Sequence, residues 1–274
     1  MRPAKPAGAA ALRREPKVTG RMPGLGLTFR LVRLGADLLL PPACNFCGAE
    51  LPSLAESPLF CSACRQAFQA LPVAVCRRCA APVPADHRED DCPRCRNRRY
   101  QFQAAVALGV YQGALREAVI RMKQSAQEPL TLSMGYLLAD RVREVLAASL
   151  PDLLVPIPAY WLKRVWRGVN SPDLLVETMA RRLRLPSAND LIRCRRRTQK
   201  QGTLLPSERA ANVRDAFAFN SDYDIVGSHV LLVDDIMTTG STASEAARTL
   251  RRAGVARVTV AVVARGVGLA QRQL

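Results

Sequence analysis

The sequence predicts an α/β protein whose mostly parallel sheet follows a small cysteine-rich module. Short apolar segments alternate with helix-length segments from Phe102 onward, an order typical of a parallel sheet. One of these apolar segments runs into two adjacent carboxylates and a loop of small residues. Ahead of them, eight of the nine cysteines fall into Cys-x-x-Cys pairs, a pattern that indicates a metal-held module.

Composition divides the 274 residues into four parts. Residues 1–23 are rich in Ala, Pro and Arg without apolar periodicity, which predicts a disordered basic tail. Residues 24–42 carry a leucine stripe, which predicts an amphipathic helix that packs on the module or, alternatively, lies on a membrane surface. Residues 43–99 form the cysteine-rich module and residues 102–268 the α/β domain. No run of 18 residues is apolar and uncharged, so no membrane-spanning helix is expected.

The four cysteine pairs are separated by 13, 11 and 12 residues and predict two tetrahedral sites for structural zinc. Sequential pairing gives a double zinc ribbon, which we favour, whereas alternate pairing gives a cross-braced module. His87 lies between the last two pairs and is either a replacement ligand or a solvated loop residue. Disulfides would need an oxidising compartment, and no secretion signal precedes the pairs. The predicted zinc ligands are Cys44, Cys47, Cys61, Cys64, Cys76, Cys79, Cys92 and Cys95.

The α/β domain opens with an expected strand over residues 104–111 and helices over 114–123 and 130–150. A further strand over 153–158 leads into a basic loop containing Arg167 and Gly168. The next helix is expected to be capped by Ser171 and opened by Pro172. A strand, a basic glycine-containing loop and a capped helix can together form an anion site.

Residues 230–242, Val-Leu-Leu-Val-Asp-Asp-Ile-Met-Thr-Thr-Gly-Ser-Thr, are the most informative segment. An apolar strand over 230–233 is expected to end at Asp234 and Asp235, and small residues lead from there into a helix over 243–252. Backbone N–H groups and hydroxyls at a helix N-terminus form a phosphate cradle. The neighbouring carboxylates suit vicinal hydroxyls, so the segment fits a phosphorylated ribose. The predicted cradle consists of Thr238, Thr239, Gly240, Ser241 and Thr242.

Two ligand classes are disfavoured and one plain alternative stays open. The segment lacks the lysine of a nucleoside-triphosphate P-loop and the Gly-x-Gly-x-x-Gly of a dinucleotide fold. The alternative is a strand-turn-helix in which Thr242 and Glu245 merely form a capping box. A final strand over 258–263 completes the alternation of strands and helices.

Basic residues dominate the charge, with a formal net charge of +17. Residues 181–200 hold eight basic side chains and one acid. This run suits a mobile hood over a pyrophosphate or a surface for single-stranded DNA, and the alternative is a solvated charged face. The candidate nucleic-acid contacts are Arg193, Arg195, Arg196, Arg197 and Lys200.

The order of these motifs resembles the ComF family, which joins an amino-terminal double zinc ribbon to a type I phosphoribosyltransferase-like domain. The resemblance extends from residue 38 to 265 and includes Leu-Leu-Leu-Pro-Pro-x-Cys at 38–44, Arg-Gly-x-Asn at 167–170, Glu-Arg-x-x-Asn-Val-x-x-Ala-Phe at 208–217 and the Asp-Asp motif. One departure is that Val169 and Ser171 stand where the family usually has Phe and Gln.

The resemblance implies that 5-phosphoribosyl 1-pyrophosphate (PRPP) binds with Mg²⁺. Asp234 and Asp235 would then hold the ribose hydroxyls, the 238–242 loop the 5′-phosphate, and Arg167 and Gly168 the pyrophosphate. The resemblance also implies a role in natural competence, the uptake of single-stranded DNA, with the uptake helicase or channel as further partners. The expected location is the cytoplasm, with the inner face of the membrane as an alternative.

Two other functions stay open: an active phosphoribosyltransferase of nucleobase salvage and a PRPP-sensing regulator. Purine-salvage members of the superfamily carry an acid where this chain has Thr238. No catalytic residue and no acceptor base are therefore assigned.

Overall fold

The computed structural model describes residues 42–52, 59–69, 74–84, 92–96, 98–158, 170–196 and 208–267. The amphipathic segment predicted for 24–42 lies almost wholly outside this range, as does His87. In chain order the elements are α1 (Ser62–Phe68), β1 (Ala104–Val110), α2 (Gly113–Arg121), a 3₁₀ turn (Ser125–Gln127), α3 (Glu128–Val145), β2 (Leu153–Pro156), α4 (Ser171–Leu183), β3 (Ile192–Cys194), α5 (Glu208–Val213), β4 (Phe217–Phe219), β5 (His229–Met237), α6 (Ser241–Arg252) and β6 (Arg257–Arg265).

Four strands form the parallel sheet that the sequence predicts, in the order β1-β6-β5-β2. β5 is longer than expected, because β6 pairs with it as far as Met237 opposite Arg265. The two acids are therefore part of the strand and do not follow it. The sheet is buried on both faces, which explains the nearly continuous apolar runs of its central strands.

Helices cover both faces of this sheet. α3 and α4 pack on one face, where Leu138 and Met179 are fully buried. α6 and a small antiparallel sheet of β3 and β4 cover the other face, where Leu191 and Leu250 are fully buried. The carboxyl ends of β5 and β2 meet at one edge, since Pro156 pairs with Val233.

The start of α4 differs from the prediction. Asn170, and not Ser171, is the residue before the helix, and no side chain caps it. The Ser171 hydroxyl is buried and donates to the carbonyl of Met122 at 2.9 Å. Ser171 therefore ties α4 to the end of α2 and is not a helix cap.

The first part of the cysteine-rich module shares a core with the α/β domain. Phe46 and Phe60 pack edge-on against Phe68, with ring centroids 5.0 and 5.1 Å apart. Gly109 of β1 faces the carbonyl of Phe68, and a Cβ at this position would clash with it. A glycine is thus required where α1 approaches the sheet.

Within the described residues, every helix is too short or too polar to span a bilayer.

Candidate functional site

The acid pair and the small-residue loop lie together at the carboxyl end of β5. Asp234 and Asp235 are partly buried, and the Asp235 N–H donates to Asp234 Oδ1 at 2.8 Å. Residues 238–240 form a bend, and α6 begins at Ser241. The strand thus places two carboxylates beside the N-terminal end of a 12-residue helix, whose dipole favours an anion.

Lys123 forms an ion pair with one of the two acids, and the sequence analysis did not identify this residue. The residue lies just beyond α2, and its Nζ is 3.0 Å from Asp235 Oδ2. Burial lowers the pKa of Lys123, but the charge and hydrogen bond of Asp235 outweigh burial and raise the pKa above its ordinary value. The site therefore contains an ammonium group beside the acid pair at neutral pH.

The two carboxyl groups differ in environment. Burial raises the pKa of Asp234 well above the usual carboxyl range, and the adjacent charge of Asp235 raises it further. Two neighbouring acids commonly differ in pKa in this way, because the negative charge on one disfavours a second negative charge on the other. Asp234 consequently holds a proton more readily than an ordinary aspartate.

The loop has a local geometry that depends on Gly240. This residue precedes α6 with φ of 76°, in the left-handed region that glycine enters most readily. Thr239 Oγ1 and Ser241 Oγ lie 2.9 Å apart across it. The alternative of a capping box at Thr242 and Glu245 is wrong, because no side chain caps α6. The Glu245 carboxylate instead accepts from Arg248 and from the N–H of Asp215.

Side chains from other segments also hold the loop, and no spacing pattern in the sequence indicates them. Arg209, from the 208–217 motif, donates to Thr238 Oγ1 at 3.0 Å. Tyr100 donates to the carbonyl of Thr239 at 3.1 Å. Arg265 ends β6 and reaches the carbonyl of Met237 at 2.9 Å. Hydrogen bonds from three different segments of the chain therefore hold the loop in place.

The predicted pyrophosphate contacts Arg167 and Gly168 lie outside the described residues. The strand before them, β2, ends beside the acid pair. The N–H of Ile157, which follows β2, donates to the carbonyl of Val233 at 2.8 Å, directly before Asp234. Where the chain is described again, Asn170 has a buried Nδ2 with no hydrogen-bond partner among the described residues.

The eight predicted zinc ligands form two clusters, which confirms sequential pairing. Cys44, Cys47, Cys61 and Cys64 make the first cluster and Cys76, Cys79, Cys92 and Cys95 the second, with all sulfur atoms of a cluster within 4.8 Å of one another. Sulfur atoms around a zinc ion are expected about 3.8 Å apart, the edge of a tetrahedron with Zn–S bonds of about 2.3 Å. The measured separations include 3.7 Å for Cys47–Cys61, 3.7 Å for Cys76–Cys95 and 3.8 Å for Cys79–Cys92.

The electrostatics of the second cluster also suit a cation. Hydrogen bonding with Cys79 lowers the pKa of Cys76 to about 4, against the opposing effect of burial. Burial and the neighbouring sulfur atoms raise the pKa of Cys95 to about 12. Four buried sulfur atoms cannot all ionise beside one another without a metal, and a divalent cation removes this conflict. The donor set and spacing therefore fit structural zinc at both clusters.

The basic run is only partly described. Arg193, Arg195 and Arg196 are exposed on and after β3, whereas Arg197 and Lys200 lie outside the described residues. Arg193 pairs with Asp190 at 3.1 Å, and Arg196 donates to the carbonyl of Arg214 at 2.7 Å. The described part of the run is thus anchored to the β3–β4 sheet, and whether the remainder closes as a hood stays a prediction.

Comparison with known proteins gives matches to both halves of the chain. A family model described as a double zinc ribbon domain matches residues 35–96, and one described as a phosphoribosyl transferase domain matches residues 174–272. The chain is 30% identical over 227 residues to the DNA utilization protein YhgH of Escherichia coli strain K12, covering 81% of this chain and 96% of that protein.

Two further relatives have competence in their names. Competence protein F of Haemophilus influenzae is 29% identical over 226 residues, with 81% of this chain and 96% of that protein covered. Competence protein ComFC of Bacillus subtilis is 26% identical over 202 residues, with 72% of this chain and 79% of that protein covered.

Proposed function

The chain belongs to the ComF family, and from this membership we propose that it binds PRPP at the carboxyl end of β5 and acts in the uptake of single-stranded DNA. One observation carries the first half of the proposal. Asp234 and Asp235 lie near the carboxyl end of the central strand, beside a loop of small residues that leads into α6. This order suits a ligand with vicinal hydroxyls next to a monophosphate.

The contacts at this site support particular roles for its residues. Carboxylate oxygens accept hydrogen bonds from ribose hydroxyls, and N–H groups at the start of α6 donate to phosphate oxygens. Lys123 lies 3.0 Å from Asp235 and keeps the acid pair from repelling a polyanionic ligand. Mg²⁺ would neutralise part of the pyrophosphate, which Arg167 and Gly168 would contact from the loop that follows β2.

The residues of the site support PRPP binding more strongly than transfer of the phosphoribosyl group to a purine. A purine acceptor must exchange a proton as it reacts. Purine-salvage members of the superfamily commonly have an acid for this exchange at the position of Thr238. Here Arg209 Nη1 donates to the Thr238 hydroxyl at 3.0 Å. A hydroxyl held by a guanidinium is a poor base, so we do not propose purine salvage.

Titration calorimetry with PRPP and Mg²⁺ tests the ligand. Removing a charge-assisted hydrogen bond costs roughly 1.5–3 kcal/mol, so Asp235→Asn should weaken binding by about one to two orders of magnitude. Asp222→Asn is the matched control, because Asp222 is an exposed acid in the turn before β5. No PRPP binding by the wild type, or equal affinity in both aspartate variants, contradicts the proposal.

The second half of the proposal, DNA uptake, is supported by charge and by the names of the relatives. The net charge is +17, and Arg193, Arg195 and Arg196 are exposed in succession along one segment. Arginine side chains bind phosphate groups with two parallel hydrogen bonds. Aromatic residues total only 14, so base stacking should contribute little and sequence preference should be weak.

DNA binding is tested with a fluorescent oligonucleotide over a salt series. The logarithm of affinity should fall against the logarithm of salt with a slope of about −0.7 per phosphate contacted. Replacing Arg195, Arg196 and Arg197 together by alanine should lower the affinity and flatten the slope. A triple variant of the exposed Arg116, Arg252 and Arg257 carries the same charge change as a control. If both triple variants behave alike, the basic run is not the DNA surface.

A further inference from the structure

Arg265 joins the second cysteine cluster to the loop after β5. The residue is only 2% exposed. Its Nε donates to the carbonyl of Cys79 at 2.7 Å and its Nη1 to the carbonyl of Met237 at 2.9 Å. The same Nη1 also contacts the carbonyls of Thr238 and Gly266. A single buried guanidinium therefore bonds to a cluster residue and to the residues that begin the loop.

The charge of Arg265 also suits this location. A buried cation needs an anionic partner or several oriented dipoles. Among the described residues, the acceptors of the Arg265 guanidinium are all backbone carbonyls. A zinc ion bound by four thiolates is a dianion, so the loaded cluster would supply the compensating charge.

A second connection runs through the segment that follows the last cluster cysteine. Tyr100 and Arg98 both donate to the carbonyl of Thr239, at 3.1 and 3.3 Å. Tyr100 stacks on Phe102, with centroids 4.7 Å apart, and lies under Arg78 of the Cys76–Cys79 pair. Burial raises the pKa of Tyr100, so its hydroxyl keeps the proton that it donates at neutral pH.

These contacts determine the direction of the loop N–H groups. The carbonyls of Met237, Thr238 and Thr239 all accept from donors that also contact the cysteine-rich module or belong to the segment leading out of it. In a planar trans peptide, the C=O and the next residue's N–H point in opposite directions. The N–H groups of Thr238, Thr239 and Gly240 therefore point away from these donors. Successive N–H groups arranged in this way bind anions.

We propose that Arg265 is a positioning residue through which the second cysteine cluster, loaded with zinc, holds the loop over residues 237–240 in its anion-binding form. The proposal rests on the proposed function, since it gives the loop a phosphate to bind. Zinc retention at this cluster and ligand binding at the loop are then coupled, and each strengthens the other.

The first cluster makes different contacts and serves as the comparison. Asn45 donates to Ser133 Oγ at 2.8 Å, and Arg121 donates to the carbonyl of Phe46 at 2.8 Å. These contacts attach the first cluster to α2 and α3. Among the described residues, no hydrogen bond joins this cluster to residues 237–240.

Hydrogen exchange of the zinc-loaded full chain tests the positioning role without any ligand. In Arg265→Met, the amides of Ser244 and Gly266, which donate to the carbonyls of Gly240 and Met237, should exchange about tenfold faster than in the wild type. Arg265→Lys keeps the positive charge but lacks the planar guanidinium with its several N–H donors, so the exchange rate should lie between those of the wild type and Arg265→Met. Arg257→Met is the matched control, because Arg257 begins the same strand, at the end away from the loop, where its side chain donates to Ser149 Oγ at 3.3 Å.

Equal exchange in Arg265→Met and the wild type overturns the proposal. If Arg265→Met does not fold, Tyr100→Phe removes one hydroxyl from the same set of contacts and should speed exchange about threefold. Unchanged exchange in that variant also counts against the proposal.

Zinc release to a chromogenic chelator tests the coupling. In Cys47→Ser, which retains the second cluster, PRPP with Mg²⁺ should slow zinc release about tenfold. The effect should vanish when Arg265→Met is added, and it should be absent in Cys95→Ser, which retains the first cluster. If PRPP binds but leaves zinc release unchanged, the coupling is wrong. If PRPP does not bind, the proposed function fails, and the exchange rates of Ser244 and Gly266 still decide the role of Arg265.

Discussion

Lys123 and Asp235 join the end of α2 to the end of β5, with Lys123 Nζ 3.0 Å from Asp235 Oδ2. Because the pKa of Lys123 is raised, the stability contributed by the charge of Lys123 is present at neutral pH and is lost as the pH rises through the higher folded-state pKa of this lysine. A ligand hydroxyl at Asp235 must therefore share the carboxylate with an ammonium group.

Replacing this ammonium should weaken PRPP binding. Lys123→Met leaves the acid pair facing a polyanion without a neighbouring cation, and we expect the affinity to fall about tenfold, the loss of one charge-assisted contact. Lys123→Arg keeps the charge and should retain most of the affinity. Calorimetry that finds Lys123→Met as tight as the wild type would show that the ion pair has no part in binding.

The affinity for ribose 5-phosphate should depend on pH through Asp234. Burial and Asp235 raise its pKa, so the carboxyl takes up a proton as the pH falls through that raised value and then accepts ribose hydroxyls less well. Affinity should therefore decrease with falling pH, and Asp234→Asn should remove this dependence. Because the phosphate itself titrates near pH 6, inorganic phosphate is measured in parallel to subtract its contribution.

Elemental analysis should find two zinc ions per chain, because the two cysteine clusters each provide four sulfur atoms. Cys61→Ser and Cys95→Ser should each retain one zinc ion. Cys194→Ser is the control and should retain both, since Cys194 lies outside the clusters. Protein without zinc, with the eight cysteines oxidised, would refute the metal assignment.

Gly240→Ala should reduce stability and PRPP affinity together. An alanine at φ of 76° costs about 1–2 kcal/mol, and its Cβ would lie 2.9 Å from Tyr100 Cε1. Gly227→Ala is a close control, because Gly227 has φ of 75° with nothing within 4 Å of the added carbon. Denaturant titration should show a loss of stability in both variants, whereas calorimetry should show weaker PRPP binding only in Gly240→Ala. Equal affinity in the two would mean that the Tyr100 contact does not shape the loop.

Local sequence patterns identified the two parts of the candidate site that are contiguous in the chain. The Asp-Asp pair and the following loop fall within one strand-turn-helix, and each Cys-x-x-Cys pair spans only four consecutive residues. Such patterns involve residues that are close together in the sequence, so they can be recognised without knowledge of the fold. The same patterns misplaced the end of β5, because pairing with β6 extends the strand past the acids to Met237.

The sequence by itself determined the parallel sheet, the cysteine-rich module and the order in which acids, loop and helix follow one another, because periodicity and spacing encode these features locally. Only the tertiary structure decided which side chains support them. Lys123 meets Asp235 across 112 residues of sequence, and Arg265 meets Cys79 across 186. Such pairs depend on how the strands of the sheet are ordered and on where the module packs, and a lone lysine or arginine carries no local pattern that reveals its partner.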